Sequence, residues 1–237
     1  MSEHKFPTEV IDLPSEGKVY SKKSPLSSGQ LELKYMTTRE EDILMSENLI
    51  KKGIVIDKLL DSLIVTKGVK QGDLILGDKN AVLVASRILA YGPEYTVEVT
   101  NPNDFDEKIE HTFDLSKCPF KELSKDVDYS DNSFDFTTPV GKNKLKFKLL
   151  TGADEVLIEK DIKQSSKFGV SSDISTRLRY TIIEVDGDTK SSTINEFTQN
   201  LLARDSVALR NYIRDISPDI DLTSEVEIGG ETVSVSI

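Results

Sequence analysis

Between Glu94 and about Leu150 the spacing of apolar residues changes from the three-to-four of a helix to the two of a strand. That change limits the fold more than any other feature of the chain. YTVEV alternates, breaks at Asn101-Pro102-Asn103-Asp104, and resumes with Ile109, His111 and Phe113, which is the pattern of a β-hairpin. SFDFTT and LKFKLL continue the strand period, separated by Asn, Asp, Gly and Pro. A lone hairpin is marginal in water, so this one needs a disulfide, a metal or a packed neighbour.

Helical spacing surrounds this stretch. TTREEDIL opens a helix with Thr37 and Glu40, or Thr38 and Glu41, in capping-box spacing. Lys51-Lys52-Gly53 closes it, and Ile43, Leu44 and Ile50 form its expected inner face. A further apolar run, IVIDKLLDSLIV, follows. LILGDKNAVLVASRILAYGPEY predicts another helix, capped by Asp78 and stopped by Gly92-Pro93, with Val82, Leu83, Ile88 and Leu89 inward. GADEVLIEKDIKQSS starts behind Thr151. SSDISTRLRYTIIEV fits helix or strand; Ile174, Leu178 and Ile182 favour the helix. Asp186-Gly187 turns the chain, Thr193 with Glu196 caps NEFTQNLLA, and Asp205 caps SVALRNYIRDI, which Pro218 closes. On that helix Val207, Leu209 and Ile213 face inward and Arg210 and Arg214 outward. VEIGGETVSVSI predicts a closing hairpin over Gly229-Gly230.

The expected class is therefore α+β, a small antiparallel sheet flanked by helical segments. Four parts follow: an extended N-terminal arm over 1–30, helices over 31–92, a β-rich middle over 93–150, and a helical part over 151–237 ending in the hairpin. The arm holds Pro7, Pro14, Gly17, Pro25 and Gly29, which favour turns. Within it LPSEGKVY predicts an anchoring turn, and QLELKYM a short strand with Leu31, Leu33 and Tyr35 on one side. The arm is expected to fold onto a partner, so that losing residues 1–30 abolishes association and leaves the body folded.

With 41 acidic against 30 basic residues the net charge is −11. Phosphate backbones require clustered cations, so a nucleic-acid partner is not expected. No apolar run nears the roughly 18 residues of a membrane span. The opening MSEHKFPTEV lacks the basic start and apolar middle of a secretory signal, so a cytosolic origin is expected.

Candidate chemistry is sparse. Cys118 is the single cysteine, and His4 and His111 are the two histidines, too few for a Cys/His zinc site. Cys118 is expected to be a buried thiol. DVDYSDNSFDF, tested from Asp126 as a calcium loop, has Asp131 at the glycine position and Thr137 at the bidentate glutamate position. It is expected to be a solvated turn. GDLILGDKNA lacks the lysine spacing of a phosphate loop. No catalytic residue, metal ligand or cofactor is expected.

LPSEGKVY, MTTREEDIL, ILAYGPEYTVEV and LLARDSVALRNYIRDISPDIDL, in that order and spacing, resemble the T-even phage baseplate hub assembly family from about residue 12 to about residue 235. The resemblance implies a non-enzymatic phage tail protein. It would act in assembly of the baseplate hub, in the virion baseplate or in host cytoplasm during assembly. Its partners would be other baseplate hub and tail proteins, with no nucleic acid and no membrane. The alternatives are a transient assembly chaperone absent from the finished virion and, remotely, a hydrolase using His111 and the acidic loop or a metal-binding protein. Similar phage proteins carry cysteine knuckles that look like a zinc ribbon joining two hairpins. Here those places read Asn101-Pro102-Asn103-Asp104 and VEIGGETV. The resemblance thus implies degenerate, metal-free zinc-ribbon-like hairpins, with Val97, Val99, Phe113, Val233 and Val235 packed where the ion would be. The residues expected to touch partners are Pro14, Gly17, Tyr20, Arg39, Glu40, Arg204, Asp205 and Arg210.

Overall fold

The computed structural model describes residues 6–101, 104–166, 172–228 and 231–236. Strand β1 (Thr8–Asp12) pairs antiparallel with β2 (Gln30–Lys34). Helices α1 (Thr38–Leu44), α2 (Glu47–Lys52), α3 (Val55–Leu63) and α4 (Leu76–Tyr91) follow. β3 (Glu94–Asn101) and β4 (Asp104–Asp114) form the expected hairpin. β5 (Phe134–Thr137), β6 (Lys144–Phe147) and β7 (Ile182–Val185) make a three-stranded antiparallel sheet in that order. Between β6 and β7 lie α5 (Gly152–Ser166) and α6 (Asp173–Thr181); α7 (Ser191–Asn200), α8 (Ala203–Ile216) and the hairpin of β8 (Thr223–Ile228) and β9 (Glu231–Ser236) complete the chain. Helices and small antiparallel sheets together make the class α+β.

Three apolar clusters hold these elements. One packs Leu13, Leu26, Leu31, Leu33, Leu60 and Val82 around the first sheet. A larger one gathers Phe134, Leu145, Phe147, Ile182 and Leu209 around the three-stranded sheet. The two meet along a seam at Leu74 and Ile75, which fall in different clusters, and Tyr20 packs against both. The third cluster joins the two hairpins: Val99, Phe113 and Val226 are buried, with Val97, Ile109, Val233 and Val235 against them. Neighbour packing, with all five expected residues in it, is thus what holds the β3–β4 hairpin.

The N-terminal segment corrects the expectation of a body that stays folded without it. Leu13, Val19 and Leu26 are buried in the two large clusters, and residues 8–12 form a strand that the turn-rich composition concealed. The chain folds this segment onto itself, and removing it would open both cores.

Three local expectations also change. The helix expected over 37–53 is two, because α2 buries no residue: Ile50 is exposed and so is Met45 at the break. With no apolar stripe to continue, the chain turns at Ser46 and restarts. SSDISTRLRYTIIEV is both helix and strand. α6 stops at Thr181, and the β-branched run Thr181-Ile182-Ile183 enters the sheet, where β-branched side chains pack well. Thr193 is inside α7 rather than at its cap, and donates to Asp188 at 2.8 Å. The loop at 126–136 is not simply solvated: Tyr129 is buried and donates to the Ile216 carbonyl, while Asn132 bridges both backbone groups of Leu149.

Candidate protein-interaction site

The described residues contain four buried carboxylates, Glu40, Asp78, Asp154 and Asp205. Each is the third residue of its helix, α1, α4, α5 and α8. A carboxylate there faces free N–H groups and the positive end of the helix dipole. Burial disfavours its charge, so each also collects donors from elsewhere.

Asp78 is not the expected cap; Ile75 precedes α4. Its Oδ1 accepts from the Ser15 amide at 2.9 Å, and its Oδ2 from the Ser15 hydroxyl and the Tyr20 hydroxyl, each at 2.6 Å. Tyr20 Oη in turn accepts from the Ile75 amide at 3.0 Å. Burial raises the Asp78 pKa, and the Ser15 and Tyr20 bonds only partly offset it. Burial, then the adjacent Asp78 charge, drives the Tyr20 pKa far up, so its proton stays in the bond. Pro14 and Gly17 are buried in the same turn. Gly17 has φ 76°, and a Cβ there would meet the Gly29 nitrogen and Ser27 oxygen at 2.6 Å, so only glycine closes this turn. The anchoring turn read from LPSEGKVY thus anchors to its own chain.

Glu40 accepts from Lys34 Nζ at 2.8 Å, the Ser62 hydroxyl at 2.7 Å, and the Thr37 amide and hydroxyl at 3.0 and 2.6 Å. Burial alone would raise its pKa, but these four donors outweigh it and hold the group at about 2. Asp205 is also not a cap. Leu202 precedes α8, and the carboxylate accepts from the Val140 and Gly141 amides at 2.7 and 2.9 Å, tying α8 to the β5–β6 turn.

The eight expected contact residues therefore occupy three places. Pro14, Gly17 and Tyr20 lie in the Asp78 latch. Arg39 and Glu40 share the first turn of α1, and Arg204, Asp205 and Arg210 lie on α8. Glu40 and Asp205 are enclosed and spent on internal bonds. Arg39, Arg204 and Arg210 are exposed. Among the described residues no acid pairs with these three; Arg210 makes only a long bond to its own helix, to the Ser206 carbonyl at 3.4 Å. The other arginines are engaged: Arg177 with Glu155, Arg179 with Asp161, Arg214 with Asp215, and Arg87 over the rings of Tyr91 and Tyr95.

Periodicity missed the apolar groove beside Arg210. Val207, expected inside, is 46% exposed, and Ile174 on α6 is 52% exposed. They rim a groove of about 520 Å³ between α6 and α8, floored by Leu178, Thr198 and Ser206. Ile174 was legible as part of a stripe with Leu178, but not as the end that lies beyond the core.

The hairpin pair is the acidic part of the molecule. Residues 94–114 and 223–236 hold ten acids and one lysine, leaving 31 acidic and 29 basic residues elsewhere. Glu98 and Glu110 stand directly opposite on the exposed side of β3 and β4, as do Glu94 and Asp114, a placement that costs stability. No group of three or more His, Cys, Asp or Glu that could hold a metal occurs among the described residues. Cys118 is half-buried rather than enclosed. Burial, then the Asp221 and Asp114 charges, raises its pKa, which keeps it a thiol instead of a reactive thiolate. His111 packs edge-on against Phe113, ring centroids 4.6 Å apart. No helix among the described residues is long and apolar enough to cross a membrane.

Comparison with curated proteins finds no match, and neither does comparison with solved structures. The family described as T4 bacteriophage base plate protein matches residues 7–233, which contain the latch, the α6–α8 groove and almost all of both hairpins. The chain belongs to this T4-type phage baseplate protein family.

Proposed function

We infer that this baseplate protein is a non-enzymatic component of the baseplate hub, joined to other hub and tail proteins by surface contacts. The observation that carries the reading is the division of its surface. A near-neutral body bears unpaired arginines beside an apolar groove, and a separate hairpin pair carries most of the net negative charge. Charged faces of opposite sign on one molecule suit contacts with different neighbours, because complementary potentials choose partners and register. The hairpin pair is read as a metal-free zinc ribbon, in which the Val99, Phe113 and Val226 cluster does the joining that an ion does in relatives. Stoichiometric zinc in the pure protein would overturn that part.

The test of the function is mass spectrometry of purified baseplates and of assembly intermediates from infected cells. Stoichiometric peptides in both, together with hub proteins, are expected. Peptides in intermediates only would assign the transient-chaperone role, and absence from both would overturn a hub role.

A further inference from the structure

We propose that the groove between α6 and α8 receives an amphipathic, acidic segment of another baseplate protein; this rests on the hub reading and names the chemistry of one contact. The groove floor is closed by Leu178 and the small residues Ala203 and Ser206 near it, so a helix-sized ridge can approach closely. Ile174 and Val207, both about half exposed, stand on opposite rims and supply the apolar contact.

Charge decides the occupant. Arg204 and Arg210 lie along the α8 side with no acidic partner among the described residues, in a chain with eleven more acids than bases. Both are exposed, so each can reach a partner's carboxylate, and arginine does so with a planar two-pronged donor set. Asp173 lines the α6 side and would repel an acid. The occupant therefore lays its carboxylates against α8 and its apolar residues, spaced one helical turn apart, over Leu178. A second copy presenting its acidic hairpins is the competing occupant, and the experiment separates the two.

The experiment titrates the full chain with a labelled 16-residue helical peptide bearing leucines one turn apart and glutamates along one flank. A matched peptide with lysines replacing the glutamates is the control. The glutamate peptide is expected to bind at least tenfold more tightly than the lysine peptide. Arg204→Glu with Arg210→Glu should weaken it tenfold or more without changing the melting temperature, and Val207→Asp should weaken it independently. Equal binding of the two peptides, or equal binding by the double variant, overturns the proposal. So does a concentration-dependent dimer abolished by Val207→Asp, which would seat a second copy in the groove. In infected cells the double variant should enter baseplates at least fivefold less than wild type. Normal entry overturns the groove while leaving hub membership intact; wild type missing from baseplates overturns the hub reading while the titration still stands on its own.

Discussion

At the scale of single residues, one arrangement recurs: a carboxylate in the first turn of a helix, buried, and bonded to a segment far away in sequence. Asp78 bonds Ser15, Asp205 bonds the turn at Val140, and Glu40 bonds Ser62. The pH consequences of two of them have opposite signs. The folded pKa of Glu40, about 2, lies below its ordinary 4.5. Its contribution is therefore present above about pH 4.5 and lost as pH falls towards 2, and it is worth on the order of 3 kcal/mol at 1.36 kcal/mol per pH unit. Asp78 is raised, so its contribution is fullest below the ordinary carboxylate range and is lost as pH rises through its folded value; it does not drive acid unfolding. Urea midpoints between pH 6 and 2.5 should show Glu40→Gln losing much less stability with acid than wild type. Parallel curves would refute the assignment. Glycine 77 carries a second residue-scale prediction. A Cβ there would lie 1.7 Å from the Pro218 carbonyl oxygen, where α4 meets the end of α8. Gly77→Ala should cost about 3 kcal/mol or more through forced displacement, read as a fall of roughly 6 °C or more in melting temperature.

At the scale of elements, the hairpins were the most legible part, because alternation and turn residues are written in consecutive positions. Their partnership was legible only through resemblance. In the structure it is carried by Val99, Phe113 and Val226 meeting face to face, a contact between segments more than a hundred residues apart. The helices were legible in existence and less so in their ends. The break at Met45 and Ser46 follows from Ile50 having nothing to pack on, a tertiary fact that helical spacing cannot carry. The opposed glutamates of the first hairpin give a prediction at this scale. Glu110→Lys places a cation opposite Glu98 and should stabilise the hairpin by about 0.5 kcal/mol, measured as slower amide exchange over 94–114. Faster exchange would mean that the opposed charges are not the destabilising feature. Of the candidate contacts, Arg39, Arg204 and Arg210 emerged exposed and unpaired, whereas Glu40 and Asp205 turned inward.

At the scale of the whole molecule, the latch lies where the two large clusters meet. Tyr20 packs on both, Leu13 and Leu26 belong to one and Val19 to the other. Burying each such side chain contributes roughly 1.5–3 kcal/mol, and a whole domain is stable by only about 5–15 kcal/mol. A chain lacking residues 1–29 should therefore lose its near-ultraviolet circular dichroism and its cooperative melting. A truncated chain that melts cooperatively near the wild-type temperature would restore the picture of a dispensable arm.

The sequence by itself determined the periods, and with them the helices, the two hairpins and the α+β class, since each depends on residues within a few positions of one another. It also set the charge of the hairpin pair, which is a property of composition. Only the tertiary structure decided what the helix-start acids and the arm are for. The partner of Asp78 lies 63 positions away, and a bond over that distance exists only once the two clusters have brought α4 and the N-terminal turn together in space.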